Sequence, residues 1–282
     1  MIHAGPARKR AKDPKYAVSF GAPNSLVGTI SHDHHRLRRS YLNSYFSKRA
    51  ITGLVPYIHD RIDQLTRRFE NAFHKSSVVH LQLDFAALTA DVITQYCYGW
   101  SYGYLDDPTP AEKIDLVDAV AGLMRMFHVN RFFPILITIF RASPPSVVRW
   151  LQPFMADLFD VKAKLRQQAT EALRNQKSGD TDGKKPQRSI FEALTSPSIP
   201  AHERSLDRLE DESALLLGAG TETTARAIAM SVYYVAHHKH IGQKLREELK
   251  TVLKTPRSRA PWSELEKLPY LVSLIESDFI LS

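Results

Sequence analysis

Ala219-Gly220-Thr221-Glu222-Thr223-Thr224 interrupts a long run, Leu206 to His237, that otherwise carries the pattern of a buried helix. Glycine costs about 1 kcal/mol in a helix interior relative to alanine, and threonine is stiff at χ1. A hydroxyl and a carboxylate among apolar side chains need partners or a task. A local conflict inside a consistent pattern marks a functional position. Glu222 and Thr223 suit proton relay, the acid recharging the hydroxyl or a water that it holds. The alternative is structural: the hydroxyls bond back to carbonyls one turn earlier and Glu222 sits in an ion pair. Just upstream, Leu215-Leu216-Leu217-Gly218-Ala219-Gly220 is small and apolar. Gly218 and Gly220 admit close approach of a flat ligand or another backbone, and they weaken the helix locally.

The flanking sequence is helical. Arg36 to Phe46 is rich in Arg and Leu. Lys48 to Phe73 sets Ile51, Val55, Ile58, Ile62, Leu65 and Phe69 on one face at spacings of three and four. Phe85 to Tyr98 predicts a helix with Asp84 as N-cap. Further helices are expected over Ala111 to His128, Ser146 to Arg174 and Ile241 to Leu253, the last ended by Pro256, with a turn and a final helix from Trp262. The polar run Lys177 to Gln187 predicts a flexible internal loop over 177–188 rather than a domain boundary. Alternating period-2 segments and internal repeats are absent. The expectation is a mainly α chain, one domain over 1–282.

The composition is that of a globular protein: 43% hydrophobic, 24% charged, formal charge +8. That excess of cations suits an anionic surface or an acidic partner. Basic residues are not interleaved with aromatics, and no recognition helix or finger is present, so nucleic acid is not expected. A Gly-x-Ser-x-Gly elbow, a phosphate loop, a dinucleotide glycine fingerprint and a His-Glu-x-x-His pair are also missing. The single cysteine, Cys97, excludes an intrachain disulfide. Phe132 to Phe140 is strongly apolar but too short to span a bilayer. Composition favours core there, against a loop that dips into a membrane interface. His35 and Arg39, four residues apart, share a helix face and suit a clamp on a carboxylate or phosphate. His32, His34 and His35 lack zinc spacing, so no metal site is expected. His237-His238-Lys239-His240 suits the negative end of a helix.

Taken together, these motifs resemble the cytochrome P-450 haem-thiolate monooxygenases, in the manner of the fungal trichodiene oxygenase-like group. Ala219 to Thr224 matches that family's oxygen-activation motif. The resemblance makes Glu222 and Thr223 the acid–alcohol pair of proton delivery, with Ala219 and Gly220 against the cofactor. His32 to Arg39, with Asn43 and Phe46-Ser47, looks like the C helix. There His35 and Arg39 would meet a haem propionate. Asp91-Val92-Ile93-Thr94 with Tyr98-Gly99 resembles the E helix, and Leu268-Pro269-Tyr270-Leu271 the entry to the K helix.

Departures accompany the match. The family's K-helix Glu-x-x-Arg should fall at 277 and 280, where Ser277 and Ile280 stand. The haem-ligating cysteine loop has no counterpart. Cys97 aligns with the E helix and reads as a small core residue. The resemblance thus implies the central part of the cytochrome P-450 fold, about C helix to the start of the K helix, lacking the haem-thiolate loop and truncated at both ends. The family activity is haem-dependent hydroxylation of a small apolar natural product in fungal secondary metabolism, with electrons from NADPH-cytochrome P-450 reductase. Monooxygenation by this chain alone is not expected, since the thiolate drives O–O cleavage. The alternative is a haem-independent binding or scaffold protein derived from that family. The family sits on the endoplasmic reticulum membrane. Without the N-terminal anchor, the expectation is a cytoplasmic or peripherally membrane-associated chain, with Phe132 to Phe140 as the membrane-touching loop.

Overall fold

Ser205 opens the longest of the described helices: in extended conformation, its hydroxyl accepts the Arg208 N–H at 3.3 Å. The computed structural model describes residues 9–106, 153–178, 189–255 and 257–281, with isolated positions between 122 and 150. Among the described residues every regular element is helical. In chain order these are α1 (Pro14–Ser19), α2 (His32–Asn43), α3 (Lys48–Thr52), α4 (Val55–His74), α5 (Leu81–Tyr98), α6 (Pro153–Ser178), α7 (Ile190–Leu194), α8 (Leu206–His237), α9 (Lys239–Leu249), α10 (Trp262–Leu265) and α11 (Pro269–Leu281). A 3-10 turn, Ala201–Arg204, precedes α8.

Several boundaries differ from the sequence expectation, each for a local reason. The expected helix over Lys48 to Phe73 is two helices, because Gly53 caps α3 and Pro56 opens α4, where a missing N–H is harmless. The helix expected from Phe85 begins at Leu81, so Asp84 is not its N-cap. Asp84 is instead buried in the first turn and paired with Arg68 at 3.0 Å. Gly99 ends α5 at φ +72°, its N–H on the Gln95 carbonyl, a conformation that favours glycine. Helix α6 runs past Arg174 through Lys177 and Ser178, so the start of the expected loop is helical. Residues 179–188, and most of Ala111 to His128, lie outside the described residues.

The core forms where α5 packs across α8. Leu42, Leu65, Phe85, Ala86, Ala87, Cys97, Leu165, Ile190, Leu194, Leu209, Leu217 and Ala225 belong to one buried cluster. Because α5 is enclosed nearly all round, its apolar residues do not form a stripe. The Tyr98 hydroxyl donates to the Ser213 carbonyl at 2.6 Å, and the Thr89 hydroxyl to the Thr221 carbonyl at 3.0 Å. These bonds descend α5 as they ascend α8, so the two helices run in opposite senses. They also place the middle of α8, residues 219–224, directly against α5.

Candidate functional site

The motif on α8 splits between two faces. Thr221 is buried, and its hydroxyl donates to the Leu217 carbonyl at 2.8 Å. Thr223 is exposed, and its hydroxyl donates to the Ala219 carbonyl at 2.6 Å. Both bonds are those of the structural alternative, and α8 runs unbroken through the motif. The expected loosening at Gly218 and Gly220 is therefore absent as a break: packing on α5, through Ile93 against Gly220 and Thr89 on the Thr221 carbonyl, holds the turn. Gly220 admits a neighbouring side chain. A Cβ there would lie 2.9 Å from Ile93 Cγ1 on α5. Ala219 stands exposed beside Thr223 and presents the small surface of the motif.

A test of that packing follows. Alanine for glycine in a helix interior ordinarily gains about 1 kcal/mol. Gly220→Ala is expected instead to cost roughly 1–2 kcal/mol through overpacking. In an Ile93→Ala background the cost should vanish, a non-additivity read from urea midpoints.

Glu222 faces α5 rather than solvent, with 14% of its side chain exposed. Its Oε1 accepts from Gln82 Nε2 at 3.3 Å and from Arg226 Nη2 at 2.9 Å. Its Oε2 is buried with no partner among the described residues. A buried acceptor without a donor is costly. Arg226 was foreseeable from its i+4 spacing. Gln82, 140 positions away, carries no sequence signal.

The second candidate lies on α2, which Ser31 caps. His35 is half-buried and Arg39 exposed, one turn apart on a shared face. Arg39 has no carboxylate partner among the described residues. Burial, then the charges of Lys12, Arg39 and His32, pull the His35 imidazolium below its ordinary pKa. Lys12 is the member that sequence reasoning missed. Its ammonium is tied to the Leu26 and Val27 carbonyls at 2.9 and 3.0 Å. The result is a cationic corner suited to an anion. No contact joins this pair to Glu222 and Thr223 among the described residues.

The remaining candidates resolve simply. Cys97 is fully buried, and burial pushes its thiol up to about 12, moderated by a hydrogen bond from Tyr45. It is a thiol at neutral pH, unsuited to a metal. Among the described residues no cluster of His, Cys, Asp and Glu has metal-binding geometry. His237 closes α8 and stacks on Tyr233 at 5.7 Å, a helix-end role. Phe132, Phe133, Ile135 and Ile139 are all exposed, Phe132 to 73%, so the core reading of that segment fails for these residues. No described helix is long and apolar enough to cross a membrane.

Known proteins resemble this chain along its whole length. The chain is 38% identical over its whole length to cytochrome P450 monooxygenase TRI4 of Fusarium sporotrichioides, covering 53% of that protein. It is also 38% identical to conidiogenone synthase PchP450 of Penicillium rubens, covering all of this chain and 55% of that one. The chain thus spans about half the length of the curated relatives it matches. The crystal structure of a cytochrome P450 (CYP102L1) superposes with a TM-score of 0.69 at 16% identity, over 97% of this chain and 56% of that one. The fold is therefore mainly helical and follows about half of a cytochrome P450. With residues 6–276 matched by the family profile described as Cytochrome P450, this chain belongs to the cytochrome P450 family.

Proposed function

We propose that this chain forms the oxygen-facing and carboxylate-binding side of a haem monooxygenase that hydroxylates a small apolar natural product. One observation carries the reading. Thr223 stands exposed on α8 with Ala219, and the residue before it, Glu222, has a second carboxylate oxygen buried without a donor among the described residues. The names of the relatives, a monooxygenase and a conidiogenone synthase, support a natural-product substrate.

The donor set fits part of a haem. Arg39 and His35 would hold a propionate, since the guanidinium is a charge-assisted donor with no competing carboxylate among the described residues, and the neutral His35 ring still donates one N–H. Ala219 would lie against the flat face. No residue here fits as the thiolate that would hold the iron, for Cys97 is buried and protonated. Bound haem supplies dioxygen activation. Glu222 Oε2 takes a proton and returns it through water. The Thr223 hydroxyl donates to the Ala219 carbonyl, and its free lone pairs would accept a hydrogen bond from that water. Electrons would come from NADPH through a reductase. The exposed Phe132, Phe133, Ile135 and Ile139 suit a peripheral membrane contact at the endoplasmic reticulum.

The clamp can be tested on this chain by absorbance titration with haem and with its dimethyl ester. Haem should bind more tightly than the ester, and Arg39→Ala should remove a preference of about tenfold or more. Equal binding of acid and ester, or no binding, rejects the clamp. In a longer form that carries a thiolate, Thr223→Ala should consume reductant without forming product; unchanged coupling removes Thr223 from the relay. A haem-independent binding role is the second reading. An open cavity of about 620 Å³ between α8, α9 and α11, lined by Val232, Val235, Ala236, Leu245, Leu271 and Leu274, favours it.

A further inference from the structure

Helix α2 carries two interleaved pairs: His35 with Arg39, and His34 with Arg38. Each pair shares a face at i and i+4, and the faces lie about 100° apart around the axis. The His35–Arg39 face holds the cationic corner. The other face docks on one buried carboxylate. Glu203 is 1% exposed; its Oε1 pairs with His34 Nε2 and its Oε2 accepts from Arg38 Nε at 2.9 Å. Arg38 Nη1 also donates to the Asn24 carbonyl at 2.9 Å and to the Thr29 hydroxyl at 2.8 Å.

Glu203 is itself held from behind. Arg208, equally buried, places Nε 3.0 Å from Glu203 Oε2 and donates from Nη1 to the Glu203 carbonyl at 2.8 Å. Two more carboxylates at the start of α8 bind the loop that leads into α2. Asp211 accepts from the Asn24 N–H and side-chain amide, both at 3.0 Å, and Glu212 from the Leu26 N–H at 3.0 Å. That loop in turn grips Lys12 through its carbonyls. Tightness leaves little freedom: a Cβ at Gly28 would meet the Ala22 carbonyl oxygen at 2.5 Å.

We propose that Glu203 and Arg38 are positioning residues: by locking α2 in rotation, they aim His35 and Arg39 at an anionic ligand. The assignment rests on the clamp reading above. The lock joins α2 to the 3-10 turn that opens α8, and the Arg208 guanidinium on α8 also faces the Tyr41 ring of α2 at 5.9 Å. A rigid-body turn of α2 by one residue would carry His35 and Arg39 together out of their half-buried place and away from Lys12 of the N-terminal segment, while His32 and Arg39 would keep their places beside His35 on α2.

The test uses Arg38→Gln, which keeps the buried Glu203–Arg208 pair intact. Proton NMR titration of the His35 ring should move upward towards the ordinary histidine value as the ring leaves its half-buried place. The His59 ring on α4 should not move. Should Arg38→Gln fail to fold, His34→Gln, whose side chain is 40% exposed, should give the same shift in smaller measure. An unchanged or lower His35 titration overturns the proposal. Haem and its dimethyl ester then separate the two claims. If both ligands weaken equally in the variant, the role is structural only and the proposal fails. If only the preference for the free acid is lost, by about tenfold, it stands. If the unaltered chain shows no preference while His35 still shifts, the clamp reading falls and the lock on α2 remains.

Discussion

Glu203→Ala is expected to lower the unfolding free energy by about 3–5 kcal/mol, the range seen when one partner of a buried ion pair is removed. The nearest remaining carboxylate to Arg208 is then Glu212 Oε2, 3.9 Å from Nη2. That gap is too long for a hydrogen bond. Arg38 keeps its bonds to Asn24 and Thr29, so the damage centres on Arg208. Urea unfolding measures the loss. A change under about 1 kcal/mol would mean that the guanidinium finds water on mutation, and that the cluster is wetter than its burial indicates. Glu203→Gln should fall between, since an amide oxygen still accepts one bond while the charge is gone.

The same cluster fixes a pH signature with opposed parts. Burial raises the Glu203 carboxyl, but the His34 and Arg38 hydrogen bonds and the Arg38 and Arg208 charges outweigh it and hold it below the ordinary value. Its contribution is therefore present above the unfolded carboxyl pKa, about 4.3, and is lost as pH falls through the lower folded value. Glu212 behaves in reverse. Burial raises its carboxyl, only partly offset by Arg208 and the Leu26 N–H. The folded state then binds its proton more tightly than the unfolded chain does, so this group loses stability as pH rises from the unfolded value through the raised one. The difference between the unaltered chain and Glu203→Ala should shrink towards acid pH. A difference that grows on acidification would refute the sign for Glu203.

How far the sequence reveals this site depends on the range of each interaction. Helix α8 was legible from Leu206 to His237 because its long pattern is local. The pairing of His35 with Arg39 was legible because i and i+4 share a face. Arg226 beside Glu222 was open to the same reasoning. Gln82, Lys12 and Glu203 were not, since each meets its partner only through tertiary packing and sits in no motif. Asp84 shows the converse error. Its type and place before an apolar run suit a cap, but a buried arginine from another helix claims it. Phe132 to Phe140 misled for a different reason. Apolar composition separates inside from outside only where something packs on it, and its described members join no core.

Arg68→Ala should rival Glu203→Ala in cost, again about 3–5 kcal/mol, and it should reach the candidate site by another route. Arg68 on α4 donates to Asp84 at 3.0 Å and to the Tyr104 carbonyl at 2.8 Å, and both charged side chains are 3% exposed. Removing the guanidinium strands the Asp84 carboxylate inside the first turn of α5. It also frees one side of the segment after Gly99, leaving Asp91, which accepts the Tyr104 and Leu105 N–H groups at 3.1 Å each. The double change Arg68→Met with Asp84→Leu should recover most of the loss, because an apolar pair of similar volume has no charge to desolvate. Failure of the double change to recover would place the cost in the other bonds of the guanidinium, the Tyr104 contact among them. Gln82 lies in the same first turn and holds Glu222 on α8. Hydrogen exchange in Arg68→Ala should therefore rise at the start of α5, and the hold on Glu222 should weaken with it. Unchanged protection there would separate the ion pair from the proposed relay.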